Sequence, residues 1–143
     1  MDSDAEWAEA QNHPDVTSVF DHIYGSDSIE DESPFNEVAE KIVLVDAINH
    51  ALAEELEYNE KMIVYGQDIA DPKGGVFTAT RGLSDSFGKS RVFNSPLAES
   101  SIIGTAVGLS LAGYKPVVEI QFGDYIWTAM MQIRNEVATM RYR

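Results

Sequence analysis

From Lys41 onward the chain alternates short continuous apolar runs with stretches of helical spacing, and that alternation leaves few folds open. Met62-Ile63-Val64-Tyr65 is an unbroken apolar run closed by Gly66, as expected of a strand covered on both faces. Arg91-Val92-Phe93 and Pro116 to Ile120 read as two further strands. Val45, Ile48, Leu52 and Leu56 recur at helical spacing and predict a helix over 45–57, in a stretch rich in Ala and Glu. Thr80 to Phe87 predicts a short helix closed by Gly88. Ser95-Pro96 is expected to open another that runs to Leu111, with Pro in its first turn and Gly113 past its end. Tyr125 to Met140 predicts a long amphipathic helix, and Asp71-Pro72-Lys73-Gly74-Gly75 a loop. Strands that alternate with helices place the chain in the α/β class, with a parallel sheet flanked by helices. Ligands of such sheets bind beyond the carboxyl ends of the strands. Residues 66–71, 94–99 and 121–125 therefore share one expected functional edge.

The net charge of −14 belongs to the N-terminal stretch. Residues 1–40 hold 12 of the 24 acidic residues and no Lys or Arg, whereas 41–143 hold the other 12 against all 10 bases. The first stretch reads as an acidic, solvated linker with isolated apolar side chains such as Val19, Phe20, Ile23, Tyr24 and Phe35, and a short helix over 4–11. The second, 41–143, reads as the folded domain. An acidic surface argues against a nucleic-acid partner, which would require basic residues on the phosphate backbone. The most apolar stretch, Ile102 to Ala112, is far shorter than the roughly 20 residues that cross a bilayer. The start, Met1-Asp2-Ser3-Asp4, lacks the positive charge of a secretory signal. A cytoplasmic protein with no membrane partner is expected. The absence of cysteine excludes disulfides, thiolate metal sites and a cysteine nucleophile within this sequence. His13, His22 and His50 are not paired at metal-ligand spacing.

Two segments could carry chemistry. Asn94 to Glu99 joins a strand end to a helix start and finishes on a carboxylate. Glu99 reads either as a first-turn acid stabilised by the helix dipole or as a functional group at the ligand edge. Glu119 to Tyr125 crosses the next strand-to-helix turn, where Phe122 and Tyr125 could wall a pocket for a flat ring or belong to the core. Gly104 and Gly108 fit close helix packing.

Several separated blocks resemble one family in order and spacing. They are Lys61 to Gly66, Gly74-Gly75-Val76-Phe77, Thr80 to Leu83, Arg91 to Glu99, Gly113 to Val117, Glu119 to Phe122, Asp124-Tyr125-Ile126 and Met140 to Arg143. Together they resemble the beta-type, pyrimidine-binding part of thiamine-diphosphate-dependent 2-oxo acid dehydrogenases. His13-Pro14-Asp15 and Phe20 to Tyr24 more weakly resemble the tail of an alpha-type half, which would make the chain a piece of a fused enzyme.

The resemblance implies a transketolase-like pyrimidine-binding domain, incomplete at its C-terminus. It implies thiamine diphosphate as cofactor and Glu99 as the acid hydrogen-bonded to the N1′ nitrogen of its aminopyrimidine. A desolvated Glu99 with a raised pKa would share a proton with that nitrogen well. Leu97 and Tyr125 are implied to line the aminopyrimidine pocket, and Phe122 to pack on or beside the ring. Magnesium and the diphosphate fall to an alpha-type half carrying a Gly-Asp-Gly motif, which this sequence lacks. The implied reaction decarboxylates pyruvate or a branched-chain 2-oxo acid and passes the acyl group to the lipoyl group of an acyltransferase. A homo-oligomer is expected, and this chain alone is expected to be inactive. A transketolase-like or deoxyxylulose-phosphate-synthase-like enzyme, or a non-catalytic assembly module, are the alternatives.

Overall fold

The computed structural model describes residues 1–25 and 41–143. Within the second stretch the elements run α2 (Leu44–Tyr58), β1 (Met62–Gly66), α3 (Leu83–Phe87), β2 (Val92–Asn94), α4 (Glu99–Leu111) and β3 (Lys115–Glu119). A 3-10 helix (Gly123–Ala129), α5 (Met130–Gln132) and a π-type turn (Ile133–Val137) complete the segment. Ahead of it stand α1 (Asp2–Glu9) and a 3-10 turn (Val16–Phe20), neither with a buried residue. The expected boundary at residue 40, and Phe35 with it, lies outside the described residues.

β1 is the centre of a three-stranded parallel sheet of order β2-β1-β3. Val64 pairs with Val92 on one side and with Val117 on the other. The apolar run of β1 is explained by cover on both faces. Met62 and Val64 enter a core with Leu56, Ile69, Leu83 and Val92, against which Leu52, Ala53 and Phe87 pack. Tyr65, on the alternate face, stacks on Phe93 at 5.3 Å and sends its hydroxyl to the Ile102 carbonyl of α4 at 3.0 Å. The sheet thus separates α2 and α3 from α4. Gly66 is required where β1 passes β3: a Cβ there would lie 2.7 Å from the Glu119 carbonyl oxygen.

Three expected helices differ, the first in that α3 begins at Leu83 and not at Thr80. α4 begins at Glu99 and not at Ser95-Pro96. The Ser95 amide donates to the Gly66 carbonyl at 2.8 Å, and the Asn94 side chain accepts the Ala70 amide at 2.8 Å. These bonds hold the chain extended past β2, so Pro96 stands in the connection. The end of α4 follows expectation: Gly113, at φ +85, donates to Ser110, and Tyr114 donates to Leu109, the paired bonds of a glycine-terminated helix.

The long helix expected over 125–140 is instead the succession of 3-10, α and π turns. Apolar periodicity is present there, but the backbone is held from outside. Ser100 donates its hydroxyl to the Thr128 carbonyl, the group that an α-helix would offer to the Gln132 amide. Further on, Ala138 reaches back five residues to Ile133. Gly104 of α4 lies against Gln132, 3.4 Å from where its Cβ would stand, whereas Gly108 has open space.

Candidate active site

The three expected strand ends do converge. β1 runs out at Gly66 into Gln67, whose side chain is buried and whose amide nitrogen donates to Glu99 Oε1 at 3.2 Å. The chain after β3 brings Gln121, which donates to the Gln67 carbonyl at 3.2 Å. From the 3-10 segment Thr128 places its hydroxyl 3.1 Å from Glu99 Oε2. These residues, with Leu97, Asp124 and Tyr125, line an open cleft of about 490 Å³. Each oxygen of the Glu99 carboxyl therefore has its own partner.

Glu99 occupies this place because the extended connection from β2 ends at Ala98 (φ −162, ψ 85), after which α4 starts at once. Its carboxyl is held below the usual glutamate range, first by its own backbone N–H and then by the Gln67 amide. Slight burial opposes this and Thr128 reinforces it. In this cleft, open to water, the donors favour the charged form, so the desolvation and raised pKa that suit proton sharing are not features of the chain by itself.

Leu97 lines the cleft but is 82% exposed. Tyr125 lines it and is partly exposed. Phe122 stands behind Tyr125, edge to face at 5.1 Å, and not on the wall beside Glu99. A third aromatic residue, Phe77, meets Phe122 at 5.6 Å from the loop between β1 and α3. That loop is closed on itself, since a Cβ on Gly74 (φ +68) would fall 2.5 Å from the Arg81 Cα. At its base Asp68 pairs with Lys73 at 2.5 Å, which holds the Asp68 carboxyl below its usual range. Glu119, at the end of β3, is pushed the other way by burial.

Residue patterns did not single out Gln67 or Thr128. Gln67 carried a usable signal, because it directly follows the glycine that ends the central strand. Thr128 carried none, since its contact with Glu99 depends on how the segment after β3 winds. A larger cleft of about 550 Å³ lies between β2 and α4, lined by Tyr65, Phe93, Pro96, Ile102 and Leu109 among others. Its walls are nearly all apolar and the Tyr65 hydroxyl is already bonded, so the polar cleft at Glu99 is the better candidate for chemistry. Among the described residues no cluster of three or more His, Asp or Glu could hold a metal ion. No described helix is long and apolar enough to cross a membrane.

Comparison with known proteins covers the same segment. The family described as "Transketolase, pyrimidine binding domain" matches residues 40–143. The 2-oxoisovalerate dehydrogenase subunit beta of Bacillus subtilis (strain 168) is 48% identical over 99 residues, 69% of this chain and 30% of that protein. The pyruvate dehydrogenase E1 component subunit beta of the same organism is 46% identical over 103 residues, 72% of this chain and 31% of that one. A 3-methyl-2-oxobutanoate dehydrogenase subunit beta of Mycobacterium tuberculosis is 44% identical over 108 residues, 76% of this chain and 31% of the relative. The chain thus spans about 30% of the length of these curated relatives. With a parallel α/β sheet, the family match over most of its length and relatives of this kind, the chain belongs to the transketolase pyrimidine-binding domain family and is similar within it to the beta subunits of 2-oxo acid dehydrogenases.

Proposed function

We propose that this chain forms the aminopyrimidine side of a thiamine-diphosphate-dependent 2-oxo acid dehydrogenase, with Glu99 as the acid that hydrogen-bonds to the ring nitrogen N1′. The observation that carries the proposal is the convergence of the residues after all three strands on one cleft walled by Leu97 and Tyr125, where Gln67 bonds the Glu99 carboxyl and Gln121 bonds Gln67. The donor set fits an aminopyrimidine. A carboxyl matches a ring nitrogen that exchanges a proton, the tyrosine and leucine side chains suit the faces of a flat ring, and about 490 Å³ accommodates one.

When bound, thiamine diphosphate would supply the carbon nucleophile and electron sink for decarboxylation. The chain's own part is narrower. Glu99 would exchange a proton with N1′, Gln67 and Thr128 would hold its two oxygens, and Leu97 and Tyr125 would orient the ring, with Phe122 and Phe77 buttressing Tyr125. Magnesium and the diphosphate would be held by an alpha-type, diphosphate-binding half, since this chain contains no Gly-Asp-Gly. Residues 1–40 would serve as an acidic linker towards such a half, and 41–143 as the pyrimidine-binding domain. The substrate would be pyruvate or a branched-chain 2-oxo acid, and the acyl acceptor a lipoyl-bearing acyltransferase.

Glu99→Gln tests the reading in the chain assembled with a diphosphate-binding half. Gln keeps the shape and the hydrogen-bonding reach but cannot exchange a carboxyl proton. Proton exchange at the C2 carbon of bound thiamine diphosphate should slow by about 100- to 10,000-fold, while cofactor affinity falls only modestly. Exchange at the wild-type rate would remove Glu99 from the chemistry.

A further inference from the structure

The 3-10 segment after β3 is tied to the first turn of α4 at two successive residues. Thr128 Oγ1 lies 3.1 Å from Glu99 Oε2, and the Ser100 hydroxyl donates to the Thr128 carbonyl. Threonine 128 thus has its side chain on the carboxylate and its backbone on the next residue along. The same hydroxyl lies 2.9 Å from the Tyr125 carbonyl, one turn earlier in its own segment. A hydroxyl has a single proton, so it cannot donate to both oxygens at once.

That limit separates two states. With Glu99 ionised, Thr128 donates to Oε2. With Glu99 protonated on Oε2, the carboxyl donates to Thr128 Oγ1, whose own proton turns to the Tyr125 carbonyl. Thr128 remains satisfied in both states, whereas the Gln67 N–H on Oε1 can only donate. The other ionisable groups at this edge are Asp124 and Tyr125 of the same segment, Glu119 at the end of β3, and Asp68 with its partner Lys73 on the loop after β1.

We propose that Thr128 is the positioning residue of Glu99, holding Oε2 in both protonation states. Its part in catalysis rests on the reading of Glu99 as the N1′ acid; its part in holding the carboxyl does not.

The test follows the Glu99 carboxyl carbon by NMR through an acid titration of the chain, without any thiamine compound. Thr128→Val removes the donor to the ionised form and should move the Glu99 midpoint upward, and Thr128→Ser should return it. Thr128→Ala gives the same reading without a β-branch should valine disturb the segment. A midpoint unmoved in both Val and Ala overturns the proposal, as does a shift that serine fails to reverse. In the chain assembled with a diphosphate-binding half, Thr128→Val should slow C2 exchange by roughly tenfold, the low end for losing a hydrogen bond to a charged group. A shifted midpoint with unchanged exchange overturns the catalytic part. If Glu99→Gln leaves exchange intact while the titration behaves as stated, the function proposal fails and the positioning stands.

Discussion

Asp71 offers the sharpest test of how the loop beside the site is held. Helix α3 follows Gly82, a cap residue that brings no side-chain acceptor to the exposed N–H groups of the first turn. Asp71, eleven residues earlier, does so from across the loop. Its carboxylate accepts the Gly82 amide at 2.7 Å, the Ser84 amide at 3.1 Å and the Ser84 hydroxyl at 2.7 Å. The Asp71 amide in turn donates to the Ser84 hydroxyl at 2.8 Å, and Ser84 is buried. Asp71→Ala strands those donors. Loss of a helix cap costs about 0.5–2 kcal/mol, and an unmet buried hydroxyl about 1–3. Asp71 is partly buried, and with both figures taken at their lower ends about 1.5 kcal/mol is expected in total. Asp71→Asn keeps one acceptor oxygen and should lose about half of that.

The carboxyl also fixes how this contribution responds to pH. Burial pushes its pKa up, but the Gly82 N–H, the Ser84 hydroxyl and the Asp85 and Ser84 N–H groups together outweigh burial and pull it below its ordinary value. A depressed folded pKa means stability that is present above the unfolded value of about 3.9 and lost as pH falls through the folded one. Urea unfolding followed by circular dichroism measures both effects. The gap between wild type and Asp71→Asn should narrow as the pH drops below about 4. An Asp71→Ala chain within about 0.3 kcal/mol of wild type, or a gap to Asn that is constant through acid, would refute the capping argument.

Two further substitutions probe the sheet. Tyr65→Phe removes the bonds to the Ile102 carbonyl and the Thr105 hydroxyl but keeps the stack on Phe93, so unfolding should show a loss of about 1 kcal/mol; no loss would mean that water replaces the phenol. Glu119→Gln should stabilise the chain at neutral pH, because burial raises the Glu119 pKa and the fold disfavours its charged form. A raised folded pKa gives stability that is full below the unfolded value and lost as pH rises through the folded one, so the advantage of Gln should vanish in acid; a destabilised Gln variant at neutral pH would contradict it.

What the sequence disclosed and what it withheld follow from the range of the forces involved. β1 was legible because cover on both faces demands an unbroken apolar run, and Met62 to Tyr65 supplies it. The end of α4 was legible because Gly113 adopts a conformation that other residues resist. The start of α4 was misplaced because Pro96 is as compatible with an extended connection as with a first helical turn, and bonds to Gly66 and Ala70 decide between them. The segment after β3 was misread for a similar reason. Its apolar spacing is helical, but the segment winds as 3-10, α and π turns and is bonded to α4 through Ser100, nearly thirty residues away. Position at a strand end makes Glu99 a candidate and the family resemblance assigns it a role, whereas Thr128 could emerge only once the winding of that segment was known.

The direction of the Glu99 pKa connects the site to assembly. In the open cleft, its own N–H, Gln67 and Thr128 favour the carboxylate over the acid. An acid that trades a proton with a ring nitrogen works best when the two groups are matched, which requires the carboxyl to rise towards the working pH. Among the described residues the cleft walls keep little water from the carboxyl, with Leu97 82% exposed and Tyr125 42% exposed beside it. A surface that covers Leu97 and Tyr125 also covers Glu99, since the three line one cleft. Removing water there penalises the charged form and opposes the donors that now prevail. Phe77 and Trp127, 63% and 70% exposed near the same segment, extend the apolar area such a surface would bury. Burial of those side chains would drive association, and the same burial would tune the acid. On the proposed reading of Glu99, docking over Leu97 and Tyr125 would move its carboxyl towards the range in which it exchanges a proton.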